Sequence, residues 1–281
     1  MKNKTKILIV GANGYLGARL YSDLKNKFEV VGTYHKKQFD QDYIQLDITD
    51  KGQVNKIFAQ IKPDVIIHTA NFASPRFAKE NEDNFIKLNL EATDYVVEAA
   101  NEINAKLIFI SSFAALTNDN IYGDLKQKSE KIIIGIKAGY LVIRPSLILG
   151  MSPSRNNDRP FDRVLKCFNH PELNEFDTSW KFYPSYSGHI SEIISTAIEK
   201  NIFNQVVYVF CDSVETQYST ARDILKPFGA KVKPVDNGLT IPLQPMDEQE
   251  LINLGLPTCS YQEMIKKIHE EVKQYLQRKS L

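Results

Sequence analysis

Cysteine, charge of a single sign and long apolar runs are all scarce in this 281-residue chain, and each shortage excludes a class of protein. The three cysteines (Cys167, Cys211 and Cys259) are too few and too far apart for a disulfide framework or a metal knot. Thirty-five basic and 34 acidic residues leave a net charge of +1, which argues against nucleic acid or an anionic membrane as the main partner. No apolar stretch approaches the roughly 18 residues that span a bilayer. We therefore expect a cytoplasmic protein in a reducing compartment.

Metal-ligand patterns and export signals are also missing. The five histidines show no ligand spacing, so no metal site is expected. The apolar run Ile7–Val10, which follows the basic N-terminal residues, is too short for the hydrophobic region of a signal peptide. Composition is that of a globular protein, with 43% hydrophobic and 25% charged residues, enough for one large domain or a domain with a lobe.

Short apolar runs alternate with longer amphipathic stretches through the first half of the chain. Runs rich in Val and Ile predict buried strands at Ile7–Val10, Val30–Thr33, Ile44–Leu46, Val65–Thr69, Leu107–Ser111 and Leu141–Arg144. Helical spacing of apolar residues predicts helices at Tyr15–Lys27, Val54–Gln60, Asn84–Glu102 and Tyr122–Lys137. This alternation predicts an α/β fold with a doubly wound, Rossmann-like parallel sheet covered by helices on both faces.

A glycine-rich turn lies between the first predicted strand and the first helix. The segment KILIVGANGYLGARL places Gly11, Gly14 and Gly17 at three-residue intervals. The first glycine permits a tight turn, the second lets a pyrophosphate approach the backbone, and the third lets helix and strand pack closely. The helix start would offer free N–H groups and a partial positive charge to the phosphates. The segment therefore predicts a dinucleotide site.

The end of the second predicted strand bears on the choice of cofactor. NAD sites usually present an acidic residue there, whereas the segment VVGTYHKK has His35, Lys36 and Lys37 and no carboxylate. A cationic cluster favours the 2′-phosphate of NADP over NAD, although a solvated lysine pair on a turn is the ordinary alternative. Asp47, after the third strand, is expected near the adenine.

The character of the sequence changes after Gly150. We expect a dinucleotide-binding domain at residues 1–150 and a smaller substrate-binding lobe at 151–281. The stretch Met151–Tyr186 is polar, rich in Pro and Asn, and without a clear period. Regular patterns return at Ser191–Lys200, a predicted helix, and at 206–210, a predicted strand that could rejoin the main sheet. Asp236–Pro257 is a predicted loop, and Gln262–Arg278 a predicted helix.

A tyrosine and a lysine one helical turn apart, Tyr122 and Lys126, follow the strand that ends in Ser111 and Ser112. Ligands collect at the carboxyl ends of strands in open parallel sheets, so these side chains are expected near the nicotinamide. Tyr122 is the predicted proton donor for carbonyl reduction, and Lys126 the cation that lowers its pKa. Ser112 is the predicted donor that holds the substrate oxygen.

In this order the motifs resemble the extended short-chain dehydrogenase/reductases, and more narrowly the dTDP-4-dehydrorhamnose reductase group of sugar-nucleotide enzymes. The matching segments are GANGYLG, PDVIIHTA, LNLEATDYVVEAA, LIFISS, YGDLKQKSE and LVIRPSLILG. The resemblance is firm through residue 150 and looser beyond. It implies an oxidoreductase of dTDP-rhamnose biosynthesis type, a nucleotide-linked 4-keto sugar as substrate, and an Asn89 that supports the active site from a neighbouring helix.

Departures from that group's pattern bear on the sugar more than on the cofactor. The group usually has Ser-Thr-Asp-Tyr where this chain has Ser111–Ala114, and Ser-Trp where it has Ser146 and Leu147. A Gly-x-Pro-Thr stretch is replaced by Tyr183–Tyr186. Basic and aromatic residues of the lobe have two equally good explanations. They could form a solvated basic helix and an aromatic minicore, or they could contact a diphosphate and a base. These residues are Arg155, Arg159, Arg163, Lys166, Trp180, Phe182 and Tyr186.

The candidate cofactor contacts follow the glycine loop and the strand ends. They are Gly11, Asn13, Gly14, Tyr15, Leu16, Gly17, His35, Lys36, Asp47, Ile48, Thr69, Ala70, Asn71 and Asn89.

Three functions stay open: an NADPH-dependent reductase of a nucleotide-linked 4-keto-6-deoxy sugar, an epimerase or dehydratase that retains its nicotinamide, and a non-catalytic regulatory subunit that binds NAD(P). The last is known from the methionine adenosyltransferase regulatory subunit. Apolar positions on two helices could form a homodimer seam or pack on the sheet.

Overall fold

The apolar runs predicted as strands lie side by side in one seven-stranded sheet. The computed structural model describes residues 4–72, 78, 80–116, 120–154, 160–170, 172, 174–240, 243 and 246–279. The chain divides into two units. Unit 1 contains Met1–Pro145 and Ile194–Tyr208, and unit 2 contains Ser146–Ile193 and Val209–Leu281. The assignment of cofactor binding to residues 1–150 and substrate binding to 151–281 stays a prediction.

The described strands are β1 (Lys6–Val10), β2 (Glu29–Tyr34), β3 (Ile44–Gln45), β4 (Val65–His68), β5 (Lys106–Ile110), β6 (Tyr140–Pro145), β7 (Ile148–Leu149), β8 (Glu175–Asp177), β9 (Lys181–Phe182), β10 (Ser185–Tyr186), β11 (Gln205–Val209), β12 (Glu215–Thr216) and β13 (Lys233–Val235). The described α-helices are α1 (Tyr15–Leu24), α2 (Lys51–Ile61), α3 (Glu82–Ile86), α4 (Ala92–Glu102), α5 (Ile121–Ile133), α6 (Pro160–Lys166), α7 (Ser187–Lys200), α8 (Gln217–Leu225), α9 (Gln249–Asn253) and α10 (Tyr261–Lys279). A π-helical stretch, Lys87–Glu91, joins α3 to α4, and 3₁₀ turns occupy Phe113–Leu116 and Lys226–Phe228.

Strand order places a binding crevice near the first strand. The order is β11-β6-β5-β4-β1-β2-β3, and β1 pairs in parallel with both β2 and β4. The pairs β2–β3, β4–β5 and β5–β6 are also parallel. The chain runs outward from β1 to β3 and then returns to β4 on the other side of β1. Ligands bind at such reversals of strand order, so the residues after β1 and β4 are candidates for a ligand-binding site. The predicted doubly wound α/β fold is confirmed.

Apolar packing holds the helices of unit 1 on the sheet. Leu8, Ile66 and Phe109 on the strands belong to one buried cluster with Phe58 of α2 and Val96 of α4. Burying each of these side chains favours folding by roughly 2 kcal/mol. None of the helices in the described ranges is both long and apolar enough to cross a membrane.

Unit 2 is built from three small sheets and their helices. β7 pairs in parallel with β10, β8 in parallel with β13, and β9 antiparallel with β12. Thr216 begins α8 with a reciprocal cap, because its hydroxyl accepts from the Ser219 N–H while the Ser219 hydroxyl accepts from the Thr216 N–H. The expectation of a loop at 236–257 was wrong in part, since α9 lies inside it. Its five residues are too few to show an amphipathic period.

A buried ion pair ties four elements of unit 1 together. Glu130 on α5 is 5% exposed and receives two bonds from Arg144 on β6, Nε to Oε1 at 2.9 Å and Nη2 to Oε2 at 2.6 Å. The Ser111 hydroxyl, just after β5, donates to the same carboxylate, and Arg144 also donates to the Tyr208 hydroxyl on β11. This network fixes the position of α5 against the sheet.

Replacing Arg144 by Leu should lower the free energy of unfolding by about 3–5 kcal/mol, because it leaves the Glu130 carboxylate buried without its cation. Replacing Glu130 by Leu in the same chain should restore most of the loss. The exposed pair of Lys128 and Asp124 on α5 provides the control, since Lys128→Ala should cost no more than about 0.5 kcal/mol. Urea denaturation measures the stability of all three variants. An Arg144→Leu variant as stable as the wild type would contradict the assignment of a buried ion pair.

Candidate active site

The glycine loop after β1 is shaped by close backbone contacts. Gly11 has a φ of +88°, and a Cβ there would lie 2.8 Å from the backbone nitrogen of Ala70. A Cβ on Gly17 would lie 2.2 Å from the carbonyl oxygen of Gly11. Both separations are too short for real atoms, so the ends of β1 and β4 and the start of α1 approach each other because these positions are glycine. Gly14 begins α1, and among the described residues no side chain caps this helix start.

This cradle fits a dinucleotide. Backbone amides at the uncapped start of α1 can bind phosphate oxygens, and a Cβ on Gly14 would meet nothing nearer than the Gly11 carbonyl oxygen at 3.3 Å. The Asn13 amide donates to the carbonyl oxygen of Lys37 and ties the loop after β2 to the cradle. Tyr15 and Leu16 are buried in the first turn of α1.

His35 and Lys36 lie exposed directly after β2. His35 Nε2 is 3.3 Å from Asp47 Oδ2, and Asp47 also accepts from the backbone and hydroxyl of Thr49. Burial alone would raise the pKa of the Asp47 carboxyl, but the bonds from Thr49 and the nearby His35 outweigh it and hold the pKa below its ordinary value. The histidine therefore already has an anionic partner, whereas Lys36 extends into solvent. Ile48 is buried beside Asp47.

The segment after β4 connects the cradle to Tyr122. The Thr69 hydroxyl lies 2.9 Å from the carbonyl oxygen of Val10 and 3.1 Å from that of Gly11. Two residues later, Asn71 Nδ2 lies 3.3 Å from the Tyr122 hydroxyl oxygen. The predicted cofactor residues of this segment thus lie between the glycine loop and the predicted proton donor.

Asn89, in the π-helical stretch, is buried and hydrogen-bonded to neighbouring segments. Its Oδ1 accepts from the Phe72 N–H at 3.0 Å, and its Nδ2 donates to the Phe85 carbonyl at 3.0 Å. Its own carbonyl accepts from the hydroxyls of Thr93 and Ser129, the latter on α5. Both amide atoms are therefore engaged inside the protein. Asn89 thus holds the segment after β4 from the π-helical stretch. Its support of an active site and its contact with the cofactor stay predictions.

Tyr122 and Ser112 belong to two elements in close contact. Gly123 packs on the 3₁₀ turn that follows Ser112, where a Cβ would lie 2.2 Å from the Ala114 carbonyl oxygen. Asn120 caps α5 by accepting from the Gly123 N–H at 3.0 Å. The Ser112 hydroxyl oxygen accepts from the Ala114 N–H at 3.2 Å, which uses a lone pair and leaves its hydrogen available for donation.

Lys126 is buried, and its ammonium group is directed at the end of β5. It is 3% exposed, and Nζ donates to the Ile110 carbonyl at 2.8 Å. Nζ lies 4.5 Å from the ring centroid of Phe109 and 5.8 Å from that of Tyr122. Burial lowers the pKa of Lys126 to about 7, against the opposing effect of Glu130. The ammonium is therefore partly deprotonated near neutral pH.

His68, at the end of β4, is a buried neutral histidine. Burial, and then the charge of Lys126, lower its pKa to about 3. Its Nε2 lies 3.2 Å from the Thr93 hydroxyl, which donates to Asn89. The histidine nitrogen must therefore be the donor in that pair, so the ring holds its proton on Nε2.

Unit 2 contains a cavity of about 240 Å³ lined by Leu147, Phe176, Phe182, Arg163 and Gln217, among others. Arg163 donates to the Glu175 carbonyl at 2.7 Å, and the predicted Lys166 lies on the same helix, α6. The other predicted lobe residues have structural partners. Trp180 contacts Phe182 with ring centroids 4.9 Å apart, and the Tyr186 hydroxyl donates to Glu271 at 2.6 Å. Arg155 and Arg159 lie outside the described residues.

Several contributors were not found from the sequence. The ion pair of Glu130 with Arg144, the close contact at Gly123 and the buried His68 were not predicted. Glu130 lies on the apolar stripe of α5, four residues after Lys126, and a carboxylate at that position was an available signal for a buried partner. The bond from Asn71 to Tyr122 had no such signal, since it joins a strand end to a helix 51 residues later.

The family of the chain follows from a match of residues 5–272 to the RmlD substrate binding domain. The chain belongs to this family. Bos taurus methionine adenosyltransferase 2 subunit beta is 28% identical to this RmlD-family chain over 159 residues, 52% of the chain and 47% of that protein. The match thus spans about half of the bovine protein's length. Aggregatibacter actinomycetemcomitans dTDP-4-dehydrorhamnose reductase is 24% identical over 219 residues, 72% of the chain and 70% of that protein.

Solved structures share the fold of this RmlD-family chain from end to end. The dTDP-4-dehydrorhamnose reductase of Bacillus anthracis, in complex with NADP, has a TM-score of 0.81 at 20% identity, with 98% of this chain and 99% of that chain covered. Bordetella bronchiseptica WbmG, in complex with NAD, has a TM-score of 0.81 at 15% identity, with 98% and 96% covered. At such identities the likeness shows the fold alone.

Replacing Lys126 by Met should change how stability depends on pH. Between pH 7 and 10.5 the unfolded chain binds more protons at Lys126 than the folded chain, so wild-type stability is lost as the pH falls through this window. The free energy of unfolding of the variant, relative to the wild type, should rise by up to about 1.4 kcal/mol per unit of pH decrease. Urea denaturation across the window tests this. A constant difference would contradict the low pKa, and Lys128→Met is the exposed control.

Proposed function

We propose that this chain is an NADPH-dependent reductase of a nucleotide-linked 4-keto-6-deoxy sugar. The observation that carries the proposal is the Tyr122 hydroxyl beside Asn71, one helical turn before the buried Lys126. The residues of this group follow β4 and β5 or lie on α5, next to the strand-order reversal where α/β sheets bind ligands. Membership of the RmlD family and the likeness to dTDP-4-dehydrorhamnose reductases support the substrate class.

The protein groups have distinct tasks in this proposal. A reduced nicotinamide supplies the hydride that reaches the carbonyl carbon. Ser112 donates a hydrogen bond to the carbonyl oxygen and orients it, and Tyr122 gives its hydroxyl proton to that oxygen as it becomes an alcohol. Lys126, when protonated, favours the phenolate. Nζ lies 5.8 Å from the centroid of the Tyr122 ring, and for a negative charge at that distance, with an effective dielectric near 20, the attraction is about 3 kcal/mol.

The cofactor cradle and the lobe complete the proposal. The glycine loop would hold the pyrophosphate, Lys36 would bind the 2′-phosphate of NADP, and Asp47 would lie near the adenine. The 240 Å³ cavity of unit 2, which carries Arg163 and Phe182, is a candidate for part of the nucleotide. The carboxylates that dehydratases place after the strand-end hydroxyl are absent at Phe113 and Ala114, which argues against dehydration.

Replacing Tyr122 by Phe should lower kcat by about 100- to 10,000-fold, because it removes the proton donor, and should leave NADPH affinity nearly unchanged. The measurement is NADPH oxidation against a panel of nucleotide-linked 4-keto sugars, with NADPH binding followed by fluorescence. Tyr95→Phe on α4, where the ring faces Lys51 of α2, is the control and should behave like the wild type. A Tyr122→Phe variant with the wild-type rate would show that the proton comes from elsewhere. Net consumption of NADPH also separates a reductase from an epimerase, which regenerates its nicotinamide.

Replacing Lys36 by Ala should weaken NADPH binding by about 10- to 150-fold and leave NADH binding almost unchanged, because a charge-assisted bond contributes about 1.5–3 kcal/mol. Titration of the purified variant with each cofactor measures the ratio. Lys56→Ala, an exposed position on α2, is the control. Equal loss for both cofactors would mean that Lys36 acts through general charge, and no loss for either would refute the NADP assignment.

A non-catalytic regulatory role is the second candidate. It is supported by the 28% identity with methionine adenosyltransferase 2 subunit beta. It predicts a stoichiometric complex with another protein, such as a catalytic adenosyltransferase subunit, and no turnover of any nucleotide-linked keto sugar. Size-exclusion chromatography of the two purified chains, alongside the turnover panel, distinguishes it from the reductase.

A further inference from the structure

The amide of Asn71 is directed at the atom that would transfer the proton. Asn71 Nδ2 lies 3.3 Å from the Tyr122 hydroxyl oxygen, within hydrogen-bond distance. The two residues reach this contact from different elements, since Asn71 follows β4 and Tyr122 lies in the first turn of α5. A contact of this kind depends on how the two elements are held.

The backbone next to Asn71 is anchored on both sides. The Phe72 N–H is bound by Asn89 Oδ1, and Asn89 is itself fixed by the Phe85 carbonyl and by the Ser129 hydroxyl of α5. On the other side, Thr69 is held at the ends of β1. The asparagine amide is thus preorganised at the phenol by a buried scaffold rather than by a free loop.

Among the described residues of α5 and β4, the titratable groups near Tyr122 are bound to other partners or neutral. On α5, Lys126 is bound to Ile110 and lies closer to the Phe109 ring than to the Tyr122 ring. From β4, His68 is neutral near physiological pH. The two nearby carboxylates of α5 are committed to cations, Asp124 to Lys128 and Glu130 to Arg144. The Asn71 amide would therefore add a neutral hydrogen-bond donor to the effect of the partly protonated Lys126.

We propose that Asn71 is a further catalytic residue, whose side-chain amide donates to the Tyr122 oxygen and stabilises the phenolate left after proton transfer. The inference rests on the proposed reductase function. The proton passes from the Tyr122 oxygen to the oxygen of the reduced carbonyl, and solvent returns a proton to the phenolate before the next turnover. Hydrogen bonds to the charged form of a group favour that form, so the amide acts in the same direction as Lys126.

The test is a spectrophotometric pH titration of the full-length protein without cofactor or substrate. The difference between the wild type and Tyr122→Phe in the near-ultraviolet phenolate band isolates the ionisation of Tyr122. The corresponding difference between Asn71→Ala and the double variant Asn71→Ala/Tyr122→Phe isolates the same ionisation without the amide. Its midpoint should be about one pH unit higher than that of the wild-type pair. Asn71→Leu, which removes the amide and keeps a side chain of similar size, should raise the midpoint by a similar amount and decides the matter if Asn71→Ala does not fold.

The matched control is Asn84→Ala on α3, where an exposed amide donates to Asn81 at 2.9 Å and should not affect the titration. An unchanged midpoint in Asn71→Ala overturns the proposal. A lowered midpoint also overturns it, because the amide would then present its carbonyl oxygen to a neutral phenol.

The pH profile of turnover separates this inference from the proposed function. In Asn71→Ala the alkaline limb of the kcat/KM profile, which reports ionisations before the sugar binds, should move to higher pH together with the titration midpoint, whereas a purely structural change would lower kcat/KM without moving the limb. A shifted titration in a protein with no reductase activity overturns the proposed function and with it the catalytic role of Asn71. Normal turnover with an unshifted titration overturns the role of Asn71 alone.

Discussion

A buried ammonium group constrains how α5 lies against the sheet. Lys126 is 3% exposed, and its hydrogen bond to the Ile110 carbonyl and its position over the Phe109 ring are its contacts with β5. Taking an ammonium group out of water is costly unless it is bound, so small displacements of α5 are disfavoured. Because Tyr122 lies one turn before Lys126, the same constraint fixes the phenol.

Two further side chains of α5 also bind polar groups on neighbouring elements. Ser129 bonds to the π-helical stretch that holds the segment after β4, and Glu130 bonds to Arg144 on β6. Such buried polar contacts add little net stability compared with apolar packing, but the loss of one partner is expensive. Their joint effect is positional: Lys126, Ser129 and Glu130 tie α5 to β5, to the π-helical stretch and to β6, respectively.

The sequence was sufficient for features encoded locally and insufficient for pairings between distant segments. The runs at β1, β4 and β5 predicted the sheet, and the glycine spacing predicted the cradle, because both depend on neighbouring residues. The partners of Lys126 and Glu130 depend on how α5 meets β5 and β6, which periodicity does not describe. The predicted tuning of Tyr122 assumed a cation about 4 Å from the phenol; the structure shows the Lys126 ammonium bound to the Ile110 carbonyl, with Nζ 5.8 Å from the centroid of the Tyr122 ring.

The energetic cost of the site bears on the choice between reductase and regulatory subunit. A protein that only bound a dinucleotide would need the glycine cradle, but it would gain stability from an apolar side chain in place of Lys126, whose burial lowers its pKa to about 7. It would equally have no use for an amide preorganised at the Tyr122 oxygen. Costs of this kind persist where chemistry requires them. Both features lie next to Tyr122, which supports the proposed proton transfer over binding alone.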